Sequence, residues 1–111
     1  MQTYTKIYLE AFGLDETDFC RCETCTNDVR ATEIHHILTR KKYAEGLNKI
    51  ENLMAICRIC HEAYGDRIYL MPMLLKIHWR VLELSNVKHD PEWFKTNIAK
   101  YEYLIELKEC V

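Results

Sequence analysis

Cys22-Glu23-Thr24-Cys25 and Cys57-Arg58-Ile59-Cys60-His61 are two Cys-x-x-Cys pairs with 31 residues between them, in a chain of only 111. Two residues between cysteines let both thiolates turn toward one ion, and two such pairs complete a tetrahedral shell of four sulfurs. Six cysteines in so short a chain also admit a disulfide framework, or redox and haem chemistry. Cys57-x-x-Cys60-His61 spells the c-type haem attachment pattern, but that attachment would leave Cys22 and Cys25 unexplained. A thioredoxin-like redox pair wants a βαβ context, which neither pair has. Structural zinc on Cys22, Cys25, Cys57 and Cys60 uses both pairs. Cys20 competes with Cys22 as the partner of Cys25, although the two-residue gap favours Cys22. Cys110 has no paired neighbour and reads as a bystander thiol.

Composition narrows the class. Hydrophobic residues make up 49% and charged residues 29% of the chain, which reads as globular rather than disordered. Met1 to Glu10 lacks the apolar run of a signal peptide. The longest apolar stretch, Ile68 to Leu75, falls well short of the roughly 20 residues that span a bilayer. The expectation is a cytoplasmic protein, where thiols stay reduced. The net charge of −2 excludes a globally basic nucleic-acid binder. It does not exclude a local basic loop, and Arg40-Lys41-Lys42 supplies one.

Working outward from the cysteine pairs, Thr5 to Phe12 gives a weak short-helix signal closed by Gly13. Asp15 to Asn27 is polar and cysteine-rich and suits a metal-bearing turn. Ala31 to Leu38 is the best strand, and Leu53 to Ile56 is the returning one. Thr39 to Glu51 reads as a charged loop with one helical turn. Ile59 to Tyr64 opens a helix that Gly65 ends. Pro72 suits the first turn of a helix running to about Leu84, with Met73, Leu74, Ile77, Val81 and Leu84 at helical spacing. Asp90-Pro91 is a cap and first-turn pair. It opens a helix to about Glu109, with Trp93, Phe94, Ile98, Tyr101, Leu104, Ile105 and Lys108 on successive turns. These stripes read as core. His78 and His89 read as ordinary surface or core histidines.

The interior of the cysteine loop carries the chemistry. It holds Glu33-Ile34-His35-His36-Ile37 and then Asn52-Leu53, with His61 following the second pair. In a strand, adjacent His35 and His36 point to opposite sides. One can then bind metal while the other faces an attacking water. Histidine suits base chemistry because it titrates near neutrality.

These residues, together with the two cysteine pairs, resemble the HNH endonuclease family of the ββα-metal (His-Me finger) fold, over about residues 20–66. The resemblance implies an α+β, mainly helical fold. Its ββα-metal motif would be braced by a four-cysteine zinc site and flanked by an N-terminal short helix and two C-terminal helices. Chain length gives one domain over 1–111, with the HNH core of the resemblance at about 20–66 and, from the helical spacing, a helical extension at about 68–111. The resemblance implies a metal-dependent DNA endonuclease hydrolysing phosphodiester bonds. His36 aligns with the general base, and Asn52 with the family asparagine that completes the catalytic set. His35 and His61 align with ligands of a catalytic divalent ion (Mg²⁺, Mn²⁺, Ni²⁺ or Zn²⁺). Glu33 aligns with no fixed role, a contact to His36 or substrate being its reading. Some members carry a further histidine where this chain has Gly65, which implies a thinner metal shell.

The partner expected is DNA, held mainly through phosphates by Arg40, Lys41, Lys42, Lys49 and Arg58. A phage packaging or recombination protein, and a second copy through the C-terminal helices, are the other partners this reading admits. The alternative is a catalytically inactive or weak zinc-braced HNH-like module, serving as a DNA- or protein-binding component of a phage or mobile-element assembly. A scaffold needs only the cysteines, whereas a nuclease also needs the His-His, Asn and His set.

Overall fold

The structure is a computed structural model that describes residues 2–38 and 48–109. Helix α1 spans Thr3–Ala11, strand β1 Glu33–His36, strand β2 Leu53–Ile56, helix α2 Arg58–Tyr64, helix α3 Met71–Leu84 and helix α4 Pro91–Glu109. Short 3-10 turns at Ile50–Asn52 and Ile68–Leu70 lead into β2 and α3. The order is the α+β, mainly helical arrangement expected. No helix among the described residues is long and apolar enough to cross a membrane.

Local chemistry explains the boundaries. Gly13, at φ +66°, closes α1: its N–H donates to the Glu10 carbonyl and the Leu14 N–H to the Leu9 carbonyl. That is the Schellman pattern, which wants a left-handed residue just past the helix. Asn86, at φ +55°, ends α3 in the same way and delivers Val87 to the core. Asp90 Oδ1 accepts from the N–H groups of Glu92 and Trp93, so the expected cap of α4 is formed.

β1 and β2 pair antiparallel, with Glu33 opposite Ile56, Ile34 opposite Ala55, His35 opposite Met54 and His36 opposite Leu53. All four residues of β2 are buried. The segment before β1 folds back on itself, with the Cys22 N–H donating to the Val29 carbonyl and the Ala31 N–H to the Cys20 carbonyl. The Glu23 N–H then donates to the Ala55 carbonyl and fixes the first cysteine turn against β2. The main core joins Cys22, Cys57 and Cys60 to Met54, Ile56, Leu74, Leu75, Leu82, Phe94, Ile98 and Tyr101. The cysteine cluster and the C-terminal helices thus share one apolar interior.

Two expected stripes shift. Along α3 the buried residues are Met71, Pro72, Leu74, Leu75, His78 and Leu82. Met73, Ile77 and Val81 are only half-buried, and Leu84 is 73% exposed. The inward line runs through a histidine, so a count of apolar residues places the stripe one position away. Along α4, Phe94, Asn97, Ile98 and Tyr101 are buried, whereas Trp93, Leu104 and Ile105 are half-buried and Lys108 is exposed. Asn97 fits inside because its Nδ2 donates to the Trp93 carbonyl.

His78 explains its own burial. Nδ1 lies 2.7 Å from Glu23 Oε1 and Nε2 lies 2.6 Å from the Ile50 carbonyl. Both partners accept, so both ring nitrogens donate and the ring is an imidazolium. Burial opposes that charge, but the Glu23 carboxylate and the two hydrogen bonds outweigh it and raise the His78 pKa. Glu23 Oε2 also accepts from the Tyr8 hydroxyl at 2.7 Å and from the Ala55 N–H at 3.0 Å. One carboxylate therefore ties α1, β2 and α3 together.

His78→Ala leaves that carboxylate buried without its cation and is expected to cost about 3–5 kcal/mol. Urea melts of the two proteins measure it. A group whose pKa rises on folding stabilises fully below its unfolded value of about 6.5, and loses that contribution as pH climbs through the raised value. The gap between wild type and His78→Ala should therefore narrow on the alkaline side. A gap that widens there would contradict the imidazolium.

Candidate active site and metal centre

The Sγ atoms of Cys22, Cys25, Cys57 and Cys60 all lie within 4.8 Å of one another. Cys25 is 3.8 Å from Cys57 and 3.6 Å from Cys60, sulfur to sulfur. Those separations are too long for a disulfide. A tetrahedron with metal–sulfur arms of about 2.3 Å has edges of about 3.8 Å, so the sulfurs stand where a zinc ion would hold them. The Cys57 N–H donates to Cys22 Sγ at 3.3 Å, and the Thr24 hydroxyl lies 3.3 Å from the same sulfur. Burial pushes the Cys22 thiol up, but these hydrogen bonds outweigh it and bring it down to about 6. Cys25 is pushed up to about 12 by hydrogen bonding to Cys22 and Cys60. The four residues fit a closed structural site.

Cys20 stands outside the cluster, half-buried. Its thiol is pushed up by burial and by the Glu23 carboxylate. Cys22 is thus the partner of Cys25. Cys110 lies outside the described residues.

β1 splits the two histidines as its alternation requires. His35 turns inward and is 6% exposed, whereas His36 is half-exposed. The His35 and His61 rings lie 4.7 Å apart, centroid to centroid. Burial first, and then the neighbouring His61, push the His35 pKa down to about 4, so the ring is neutral at pH 7. Its buried Nε2 has no hydrogen-bond partner among the described residues. A buried polar atom left this way calls for a partner, and a neutral imidazole beside a second imidazole suits a metal ion.

Glu33 does not meet His36. It shares the His35 side of β1, and its Oε2 lies 3.1 Å from His61 Nδ1. The reading that joined Glu33 to His36 is corrected by the two-residue period of the strand.

His36 has two other neighbours. The Tyr4 ring meets it edge-on at 4.7 Å, and Asn48 Oδ1 lies 3.2 Å from its Nε2. With that amide oxygen accepting, Nε2 carries the proton and Nδ1 is left with a lone pair. Sequence reasoning misses both Tyr4 and Asn48, since a helix-borne tyrosine and a loop asparagine carry no spacing that ties them to a histidine.

Asn52 is 1% exposed and lies beneath this surface. Its Oδ1 accepts from the Leu38 N–H at 2.7 Å, and its Nδ2 donates to the Leu38 carbonyl at 3.2 Å. Its own carbonyl accepts from the Ile37 N–H. Asn52 pins the chain two residues beyond His36. Asn52→Ala leaves the buried Leu38 N–H unpaired and is expected to cost about 1–3 kcal/mol, readable in a thermal or urea melt.

Of the basic residues, Lys49 and Arg58 are exposed. Arg40, Lys41 and Lys42 lie outside the described residues.

Residues 22–67 match the family profile described as HNH endonuclease. No curated protein and no solved structure matches the chain. The matched stretch contains both cysteine pairs, both strand histidines, Asn52 and His61. Over residues 22–67 the chain is similar to the HNH endonuclease family, and its gathered cysteines are consistent with the zinc-binding type.

Proposed function

We propose that the protein is a metal-dependent DNA endonuclease that hydrolyses phosphodiester bonds with His36 as general base. One observation carries this reading. On one side of a strand the neutral His35 ring, its buried Nε2 without a partner among the described residues, lies beside His61, and on the other stands a half-buried His36. Metal-dependent phosphodiester hydrolysis uses a metal position with a base close beside it.

In this reading, His35 and His61 hold a divalent ion, Mg²⁺, Mn²⁺, Ni²⁺ or Zn²⁺. When bound, such an ion supplies Lewis acidity at the scissile phosphate and steadies the leaving oxygen. His36 takes a proton from the attacking water at Nδ1, with Asn48 holding the proton on Nε2. Tyr4 limits the swing of the His36 ring, and Asn52 keeps the end of β1 in place. Zinc on the four cysteines braces the motif and takes no part in the chemistry. Arg40, Lys41, Lys42, Lys49 and Arg58 contact phosphates and position the duplex without reading its sequence.

The test is nicking of supercoiled plasmid in the presence of each of the four ions. Inactivity with all of them would favour the non-catalytic module. DNA binding should also fall by about two to three powers of ten between 50 and 200 mM salt if five phosphates are neutralised. Affinity that stays flat over that range would remove the phosphate contacts from the proposal.

A further inference from the structure

Glu33 stands two residues before His35, so both side chains leave the same side of β1. Its Oε2 lies 3.1 Å from His61 Nδ1. The approach is an ion-pair contact, and a carboxylate so placed, able only to accept, favours a proton on that nitrogen. In the neutral ring the lone pair then belongs to Nε2.

The surroundings of Nε2 fit that assignment. A Cβ added at Gly65 would come 2.6 Å from the His61 carbonyl oxygen, 2.7 Å from His61 Cδ2 and 3.2 Å from His61 Nε2. Gly65 has φ −68° and ψ 145°, which any residue adopts. What glycine supplies there is space. The neighbouring His35 ring, 4.7 Å away, holds a buried nitrogen that has no partner among the described residues.

We propose that Glu33 is a positioning residue that fixes the proton on His61 Nδ1 and so presents Nε2 to a divalent ion, with Gly65 keeping the space beside that nitrogen clear. This deepens the nuclease reading and rests on it. The carboxylate–imidazole–metal arrangement sets both ring orientation and ligand basicity, and loss of such a carboxylate weakens metal affinity by roughly 10–100-fold.

The experiment uses full-length protein loaded with zinc at the cysteines. Nitrogen-15 NMR of the histidines reads the His61 tautomer, and titration calorimetry with Mn²⁺ reads the second site. Wild type should show the Nδ1–H tautomer and bind Mn²⁺. Glu33→Ala should lose the tautomer bias and bind Mn²⁺ about 10–100-fold more weakly. Glu33→Gln, whose amide oxygen still accepts from Nδ1, should recover much of the loss. The Glu33 side chain is 32% exposed, so unchanged melts should show that all three proteins are folded.

Gly65→Ala should also weaken Mn²⁺ binding, with zinc content and helical circular dichroism unchanged, since the added methyl also approaches the His61 carbonyl. Mn²⁺ affinity in Glu33→Ala within twofold of wild type would overturn the proposal, as would an Nε2–H tautomer in wild type. A wild type that keeps the Nδ1–H tautomer but binds no Mn²⁺ would overturn it too, and would locate the failure in the nuclease reading itself.

Discussion

Stripping the metal from the four-cysteine cluster is expected to unfold the protein, with loss of its helical circular dichroism and of any cooperative melt. Cys22 is fully buried, and Cys57 and Cys60 are 6% and 8% exposed. All three sit in the same apolar cluster as Leu74, Leu75 and Phe94. Thiolates gathered there without a cation would repel one another in a poorly solvated interior. Structural zinc contributes about 10–16 kcal/mol of apparent binding energy near neutral pH, and that energy is folding energy where the site does not pre-exist. A small domain has a net stability of only about 5–15 kcal/mol, so removal of the ion consumes most or all of it. The two-stranded sheet is too small to hold without the brace. Because α3 and α4 pack on the same cluster, the melt should disappear as a whole rather than in halves. The measurement is a thermal melt before and after a strong chelator, with one zinc per chain by mass spectrometry. Cys60→Ser should reproduce the loss without chelator. An unchanged melt in the stripped protein would refute the brace.

What is legible in the sequence depends on whether one local rule decides the matter. β2 reads correctly because Leu53 to Ile56 is an unbroken apolar run buried on both faces. α4 reads correctly at its start because Asp90-Pro91 encodes a cap and a first turn in adjacent residues. The gathering of Cys22, Cys25, Cys57 and Cys60 reads correctly because ligand spacing is itself a local rule. The α3 stripe is misplaced because its central inward residue is a histidine, made tolerable by Glu23, 55 residues earlier in the chain. No window on α3 contains that partner. Glu23 itself occupies a variable position between two cysteines, where an acidic residue reads as solvated. Asn48 and Tyr4 escape notice for the same reason, since each meets His36 only through the fold. Glu33 is assigned to the wrong histidine. The strand period places it on the His35 side, but only the arrival of α2 supplies His61 as its partner.

His36→Ala is expected to lower the rate of metal-dependent DNA cleavage by about 10²–10⁴-fold, the usual contribution of a general base. The argument turns on the two sides of β1. His35 is committed inward, neutral and beside His61, and cannot also reach a water on the opposite side. Among the described histidines, His78 is buried against Glu23 and Ile50, and His89 Nδ1 is bonded to the Val87 carbonyl. His36 is partly exposed and stands on the side of β1 opposite His35, which lies beside His61, the other proposed metal ligand. Its substitution removes an edge-on contact with Tyr4 and a hydrogen bond with Asn48, both at the surface, so the melt and the zinc content should barely move. The variant should also bind DNA as wild type does, since phosphate contacts come from other residues. Loss of rate with retained fold, zinc and binding is the pattern of a missing base. Loss of all four together would mean that His36 holds the strand rather than the water. Cleavage at the wild-type rate would remove His36 from the mechanism.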